Sequence, residues 1–296
     1  AHRSRFLGLG RKFASDTDTE VIVALLEQAL AAGQSRRQAV RATCAQLTGL
    51  NTFVVLFADE ELFAVRQGSP LVLGKSSEAI YLASDVLSFA PWTNQCFAVP
   101  ENALVRIAGQ VVEITAGDGR TIVPTWVAIE FEPELTGQDG YRHYMIKEIM
   151  EQWHTIPRQA MGQGATLAAL VAAIRKAKTV IVTGSGGAYY CARQIAWLLR
   201  SIAAVRALDV PAYEIDGFRS CLQAGDVMLA ISQSGETADT IDAVRFGQKH
   251  GLLIASVVNM PLSTLSQVAD FNVCNRSGPE ICVLSTKSAS AQITFG

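Results

Sequence analysis

The stretch Ala230-Ile231-Ser232-Gln233-Ser234-Gly235-Glu236-Thr237-Ala238-Asp239-Thr240 joins two kinds of periodicity. Residues 226–231 (DVMLAI) are an apolar run of buried-strand type, and residues 237–250 (TADTIDAVRFGQKH) set Ile241, Val244 and Phe246 on roughly one helical side. Between them lies a strand-to-helix junction crowded with hydroxyls. The first N–H groups of a helix lack intrahelical partners and favour negative charge. Ser232, Ser234 and Thr237 add hydroxyl donors, and Gly235 lets a ligand approach the backbone closely. A phosphate monoester fits such donors without a metal. The plainer alternative is that Ser234 or Thr237 merely caps the helix. Four polar side chains in so short a junction favour the anion cradle.

Working outward, the second half alternates helix and strand. The pattern predicts helices at about 143–152 and near 166–177, strand 179–183, helix 188–202, strands 211–215 and 226–231, helix 237–250, and strands 252–258 and 271–274. Such alternation argues for an α/β fold, a parallel sheet with helices on both faces. Ligands of these sheets sit beyond the carboxyl ends of the strands, where the serine-rich turn falls. Thr183-Gly184-Ser185-Gly186-Gly187-Ala188 is a second strand-to-helix junction. It does not satisfy G-x-G-x-x-G, because the sixth position is Tyr189, and a dinucleotide site is discounted. Ser285-Thr286-Lys287-Ser288 offers hydroxyls and one cation at a further turn, or else a helix N-cap beside a solvated lysine.

The first half reads differently. Residues 18–32 and 35–48 form amphipathic helices, with Val21, Leu25 and Leu26 on one face of the first. Short strands at 52–57, 62–66, 70–73 and 79–83, and a hairpin of 103–107 and 110–114 around Gly109, predict an antiparallel sheet. A Gly- and Pro-punctuated connector follows over 116–140. The division falls near residue 140.

With 296 residues the chain exceeds ordinary single-domain size, so two domains are expected. Hydrophobic content of 49% with 18% charged residues excludes a disordered chain, and a net charge of -2 without basic runs points away from nucleic acid and anionic membranes. The most apolar window, around 166–183, is interrupted by Arg175, Lys176 and Lys178, so no membrane span is predicted, and no signal peptide is seen. The six cysteines are scattered without a C-x-x-C pair and read as reduced thiols of a cytoplasmic protein. His2, His143, His154 and His250 lack metal-ligand spacing. The opening at Ala1 and the close at Gly296 suggest an internal fragment.

The second half resembles the first sugar isomerase (SIS) domain of the glutamine:fructose-6-phosphate aminotransferase family. The resemblance is carried by Tyr141-Arg142-His143-Tyr144-Met145 with Lys147-Glu148-Ile149, by Ser232 through Thr240, and by Glu280-Ile281 with Val283 and Ser285-Thr286-Lys287. The first half resembles the carboxy-terminal part of that family's class II glutaminase domain. There the carriers are Ser15-Asp16-Thr17-Asp18-Thr19-Glu20-Val21-Ile22, Arg66 with Gly68-Ser69-Pro70-Leu71-Val72, and Ala83-Ser84-Asp85. Together these cover nearly the whole chain.

The resemblance implies an αββα glutaminase layer of the Ntn type over 1–140, including the connector, and a three-layer αβα SIS domain over 141–296. It implies an enzyme of amino sugar biosynthesis, leading toward UDP-N-acetylglucosamine, that converts fructose 6-phosphate and glutamine to glucosamine 6-phosphate and glutamate. Ser232, Gln233, Ser234 and Thr237 are the implied sugar-phosphate ligands, with Val283 and Ser285 near the sugar. Asp18 is the implied carboxylate for the glutamine α-amino group, although an Asp in this context also suits a helix N-cap. No external cofactor is implied, and the complete enzyme would be a homodimer. The family's nucleophilic cysteine, and the lysine, histidine and glutamate of its isomerase step, have no counterparts here, and Lys287 does not align with the Schiff-base lysine. The resemblance therefore places no catalytic residue in this chain, which is expected to be inactive alone. A non-catalytic SIS-type regulatory protein that binds sugar phosphate is the alternative. Two departures stand out: Gly187 and Ala188 replace a Thr-Ser pair, and Gly217 stands where the family often has glutamate.

Overall fold

The computed structural model describes residues 2–129, 137–161 and 164–296. In chain order its helices are α1 (His2–Gly8), α2 (Glu20–Ala31), α3 (Arg36–Gln46), α4 (Tyr144–Met150), α5 (Gln152–Ala160), α6 (Gly164–Lys176), α7 (Gly187–Ser201), α8 (Ala238–Lys249), α9 (Thr264–Val268) and α10 (Lys287–Phe295). Its strands are β1 (Phe53–Leu56), β2 (Leu62–Val65), β3 (Val72–Lys75), β4 (Ile80–Ala83), β5 (Gln95–Ala98), β6 (Leu104–Ala108), β7 (Val111–Thr115), β8 (Thr121–Ile122), β9 (Val127–Ala128), β10 (Val180–Gly184), β11 (Ala207–Pro211), β12 (Val227–Ser232), β13 (Leu253–Val258) and β14 (Phe271–Cys274). The chain divides into two compact units. One comprises Ala1–Leu71, Glu78–Ser84 and Val99–Thr125, the other Val72–Ser77, Asp85–Ala98 and Trp126–Gly296.

In the first unit β1, β2, β6, β7 and β8 form an antiparallel sheet in that order. Helices α2 and α3 lie on it because Leu26, Ala29, Ala39 and Val40 repeat at helical spacing and meet Phe63, Val65 and Leu104 from alternate strand positions. Ser35 starts α3 with a reciprocal capping box to Gln38.

In the second unit β3, β5 and β9 pair antiparallel, and a separate parallel sheet runs β11-β10-β12-β13-β14. Side-chain alternation sorts the strand residues between two faces. Val180, Val182, Val227, Leu229 and Ile231 pack with α6, α7 and α10, while Ile181, Met228, Ala230 and Ile254 pack with α8 and α9. Both faces are therefore dry, which accounts for continuous apolar runs rather than apolar-polar alternation. Each fully buried Val, Leu or Ile contributes about 1.5–3 kcal/mol.

Several expectations need correction. The predicted strand 211–215 is absent. The strand is Ala207–Pro211, and Ala212–Cys221 is a 3-10 segment. Ala212 and Ile215, three residues apart, are both buried, as a three-residue turn requires. The helix predicted over 143–152 is α4, whereas α5, which follows it, and β5 were not predicted at all. Part of the predicted connector, residues 130–136, lies outside the described residues, and the rest contains β8 and β9.

No helix among the described residues is long and apolar enough to cross a membrane. All six cysteines are free. Burial pushes the thiols of Cys96 and Cys191 up to about 11 each and raises that of Cys44. Cys221 is exposed. Thiolate supply and access together set alkylation rate, so at about pH 7.5 iodoacetamide should modify Cys221 in the folded protein and reach Cys96 and Cys191 only after denaturation. Mass spectrometry reads the outcome, and rapid labelling of Cys96 in folded protein would contradict this packing.

Candidate functional site

The carboxyl edge of the parallel sheet carries the residues singled out above. Ser232 ends β12 and is 1% exposed. Its Oγ accepts the Gly235 N–H at 3.0 Å and lies 3.5 Å from Thr237 Oγ1. Ser234 Oγ accepts the Glu236 N–H at 3.1 Å. A serine hydroxyl has one hydrogen and two lone pairs, so oxygens that accept from the backbone keep their O–H to donate. Thr237 holds the N-cap position of α8, but its side chain makes no capping bond. The simple cap reading of Thr237 therefore does not hold, and that of Ser234 reduces to a bond within its own turn. The Gln233 side chain is half-buried with no hydrogen-bond partner among the described residues.

Two constraints fix this turn. Gly235 has φ of +68°, and a Cβ there would lie 2.2 Å from Ser263 Oγ, so only glycine fits. The Glu236 carboxylate accepts from Thr264 N at 2.6 Å and Thr264 Oγ1 at 2.8 Å, tying the turn to the start of α9. A third link runs through Asn259. Its N–H donates to Gln233 O at 3.0 Å, its Nδ2 donates to Gly278 O at 2.8 Å, and its Oδ1 accepts from Ser277 Oγ at 2.6 Å. The serine turn is thereby bound to the segment that leads to Val283 and Ser285.

That segment has its own anchors. Glu280, 6% exposed, accepts from Thr286 N at 2.9 Å, Thr286 Oγ1 at 2.8 Å, Ser288 N at 3.0 Å and Ser288 Oγ. Glu148 on α4, 2% exposed, accepts from Ile281 N at 2.7 Å, Cys282 N at 2.9 Å and Thr286 Oγ1 at 2.8 Å. Ser285 Oγ bonds Ser288 Oγ. Val283 and Leu284 project into solvent, Val283 being 100% exposed. The expected solvated lysine is not found: Lys287 is 2% exposed and its Nζ donates to Glu151. Lys147 pairs with the same carboxylate at 3.5 Å and with Asp139 at 2.9 Å. Burial pulls the Lys147 ammonium down, but these two carboxylates outweigh it and hold the group above its ordinary value.

At the glycine-rich junction Gly186 is the N-cap of α7 and takes φ of +56°, without a side-chain cap. Gly187 has no positive φ, and a Cβ there would meet nothing within 4 Å. Ser185 Oγ lies 3.4 Å from Thr240 Oγ1 of α8. Thr183 Oγ1, at the end of β10, is buried without a hydrogen-bond partner.

Asp18 lies in the first unit, where Arg3 donates to Ser15 O and Thr17 O, and Glu20 accepts from Ala14 N, Ser15 N and Ser15 Oγ. These bonds shape the 14–20 loop and leave Asp18 exposed, with no hydrogen bond donated to its carboxylate among the described residues. It is not an N-cap: Thr19 holds that position, again without a side-chain bond.

Comparison with known proteins agrees with this architecture. Residues 173–296 match the SIS domain family. The chain is 30% identical to glutamine--fructose-6-phosphate aminotransferase [isomerizing] of Sulfurisphaera tokodaii, over 98% of this chain and 50% of that protein. It is 31% identical to the protein of that name in Thermococcus kodakarensis, over 99% of this chain and 49% of the other, and 32% identical to that of Zymomonas mobilis, over 98% and 49%. A solved structure of the C-terminal domain of glucosamine-fructose-6-phosphate aminotransferase from Francisella tularensis is 28% identical, covers 54% of this chain and 47% of that one, and gives a TM-score of 0.49. The chain spans about half the length of the curated relatives it matches. It is an α/β protein that carries a SIS domain and is related over nearly its whole length to the glutamine--fructose-6-phosphate aminotransferases.

Proposed function

We propose that the second unit binds a hexose 6-phosphate, with the phosphate against Ser232, Gln233, Ser234 and Thr237 and the sugar toward Val283 and Ser285. One observation carries this reading. Of the four α-helices that directly follow strands of the parallel sheet, α9 and α10 have their first N–H groups taken by carboxylates of the protein, Glu236 and Glu280. The starts of α7 and α8, after the adjacent strands β10 and β12, have no side-chain cap. Unfilled helix starts with serine and threonine hydroxyls beside them suit a phosphate.

In the wider reading, the chain is part of an enzyme that transfers glutamine amide nitrogen to fructose 6-phosphate, giving glucosamine 6-phosphate for amino sugar synthesis in the cytoplasm. The names of the relatives and the extent of the match support it. Residues 1–140 are the carboxy-terminal part of an Ntn-type glutaminase domain in this reading, and residues 141–296 the first SIS domain of a homodimer. Asp18, exposed on a braced loop, receives the glutamine α-amino group. The residues named bind and orient substrate, and none performs a bond-breaking step.

Two sets of variants test the phosphate site. Ser232→Ala and Thr237→Ala should each weaken glucose 6-phosphate binding by about 1–2 kcal/mol, between the net worth of a neutral hydrogen bond and that of one to a charged group. Calorimetry decides it, and unchanged affinity in both would reduce these residues to turn formers. The Gly187→Thr, Ala188→Ser pair should raise affinity about tenfold, roughly 1.4 kcal/mol. Gly187 has room and no left-handed φ, so strain does not offset the gain. A folded double variant with wild-type or lower affinity would turn the α7 junction away from the phosphate.

A further inference from the structure

The Ile281–Thr286 segment, which bears Val283 and Ser285, is gripped by a side chain from a distant part of the sequence. Glu148 precedes Ile281 by 133 residues, yet its Oε1 accepts both the Ile281 and Cys282 N–H groups, at 2.7 and 2.9 Å. Its Oε2 meets Thr286 Oγ1 at 2.8 Å, and that hydroxyl stands equally close to Glu280 Oε1. We propose that Glu148 is a positioning residue for the sugar end of the site, holding Val283 and Ser285 in place through these three contacts. The proposal rests on the hexose-phosphate reading above.

Acceptor geometry, rather than negative charge, performs this work. A threonine hydroxyl owns one hydrogen and can donate to one carboxylate at a time, so the Glu148–Thr286–Glu280 triad is one donor short. Glutamine at 148 removes the shortage. Its Oε1 still accepts the two backbone N–H groups, its Nε2 donates to Thr286 Oγ1, and the Thr286 hydrogen goes to Glu280. Aspartate at 148 keeps the charge but withdraws the carboxylate by one methylene, out of reach of Ile281 and Cys282.

The test compares wild-type protein with Glu148→Gln, Glu148→Asp and Glu148→Ala in calorimetric titrations of glucose 6-phosphate and of inorganic phosphate. The Gln variant should stay within about twofold of wild type for glucose 6-phosphate, while the Asp and Ala variants fall about tenfold. Inorganic phosphate, which uses only the serine turn, should bind all four alike. Amide hydrogen exchange without ligand should quicken at Ile281, Cys282 and Thr286 in the Asp and Ala variants and stay slow in the Gln variant. If the Ala variant does not fold, the order of Gln and Asp carries the test. Wild-type affinity in the Asp variant with loss in the Gln variant would overturn the proposal in favour of a charge role. Parallel loss of glucose 6-phosphate and inorganic phosphate would overturn it in favour of general destabilisation. Exchange unaltered by Asp overturns the positioning claim whatever the ligand, whereas a wild-type protein that takes no hexose phosphate overturns the sugar reading beneath it.

Discussion

Backbone N–H groups at the carboxyl edge of a parallel sheet have no strand or helix to pair with, and this structure depends on how they are satisfied. Three carboxylates take five of them. Glu236 holds Thr264 N, Glu280 holds Thr286 N and Ser288 N, and Glu148 holds Ile281 N and Cys282 N. A buried carboxylate accepting several such donors is stabilised by about 1.5–3 kcal/mol per bond, and truncating it leaves the donors orphaned at comparable cost. The loops of this edge are thus rigid where the protein supplies its own anion. They are open where it does not, at the starts of α7 and α8.

Much of the sheet was legible because both its faces are dry. The runs that became β10, β12 and β13 are largely apolar, and the predicted bounds of these strands and of the shorter edge strand β14 differ from the observed ones by a residue or less. The failure at β11 has a specific cause. Asp209 interrupts the run Ala207-Leu208-Asp209-Val210, so the pattern does not read as a buried strand. On this edge strand its carboxylate is accommodated by Arg200 at 3.0 Å. The stretch after Pro211, Ala212-Tyr213-Glu214-Ile215, has a similar pattern with one charge but lacks a continuing strand and turns over Ala212 and Ile215 instead.

Helix α5, which follows α4, escaped the reading for the opposite reason, and neither helix showed which face it buries. Their buried positions are polar, with Lys147, Glu148, Thr155 and Gln159 each 3% exposed or less. Met145, Ile149, Met150 and Trp153 face solvent. Hydrophobic periodicity locates a buried face by its apolar stripe, and here the stripe points outward. Pro157, inside α5, argues further against a helix by removing one donor. The sequence pattern Lys147-Glu148-Ile149 carried a resemblance but no hint that its glutamate reaches a loop 133 residues away.

The serine turn shows where local chemistry was readable and where it was not. Its strand-to-helix position followed from periodicity alone, and the clash that a Cβ at Gly235 would make explains why glycine stands there. The distribution of hydrogen bonds within the turn could not be read, because it depends on Ser263, Thr264 and Asn259 from later loops. These contacts change what the hydroxyls can do. An unconstrained Ser-rich turn satisfies its own backbone and has no fixed direction in which to donate, whereas here Ser232 and Ser234 accept from N–H groups of a turn pinned at Gln233, Gly235 and Glu236. Each oxygen has given one lone pair to the backbone, and its hydroxyl hydrogen is left to donate. A turn arranged in that way, with hydroxyl hydrogens beside the uncapped N–H groups that open α8, is complementary to an acceptor-only ligand such as a phosphate.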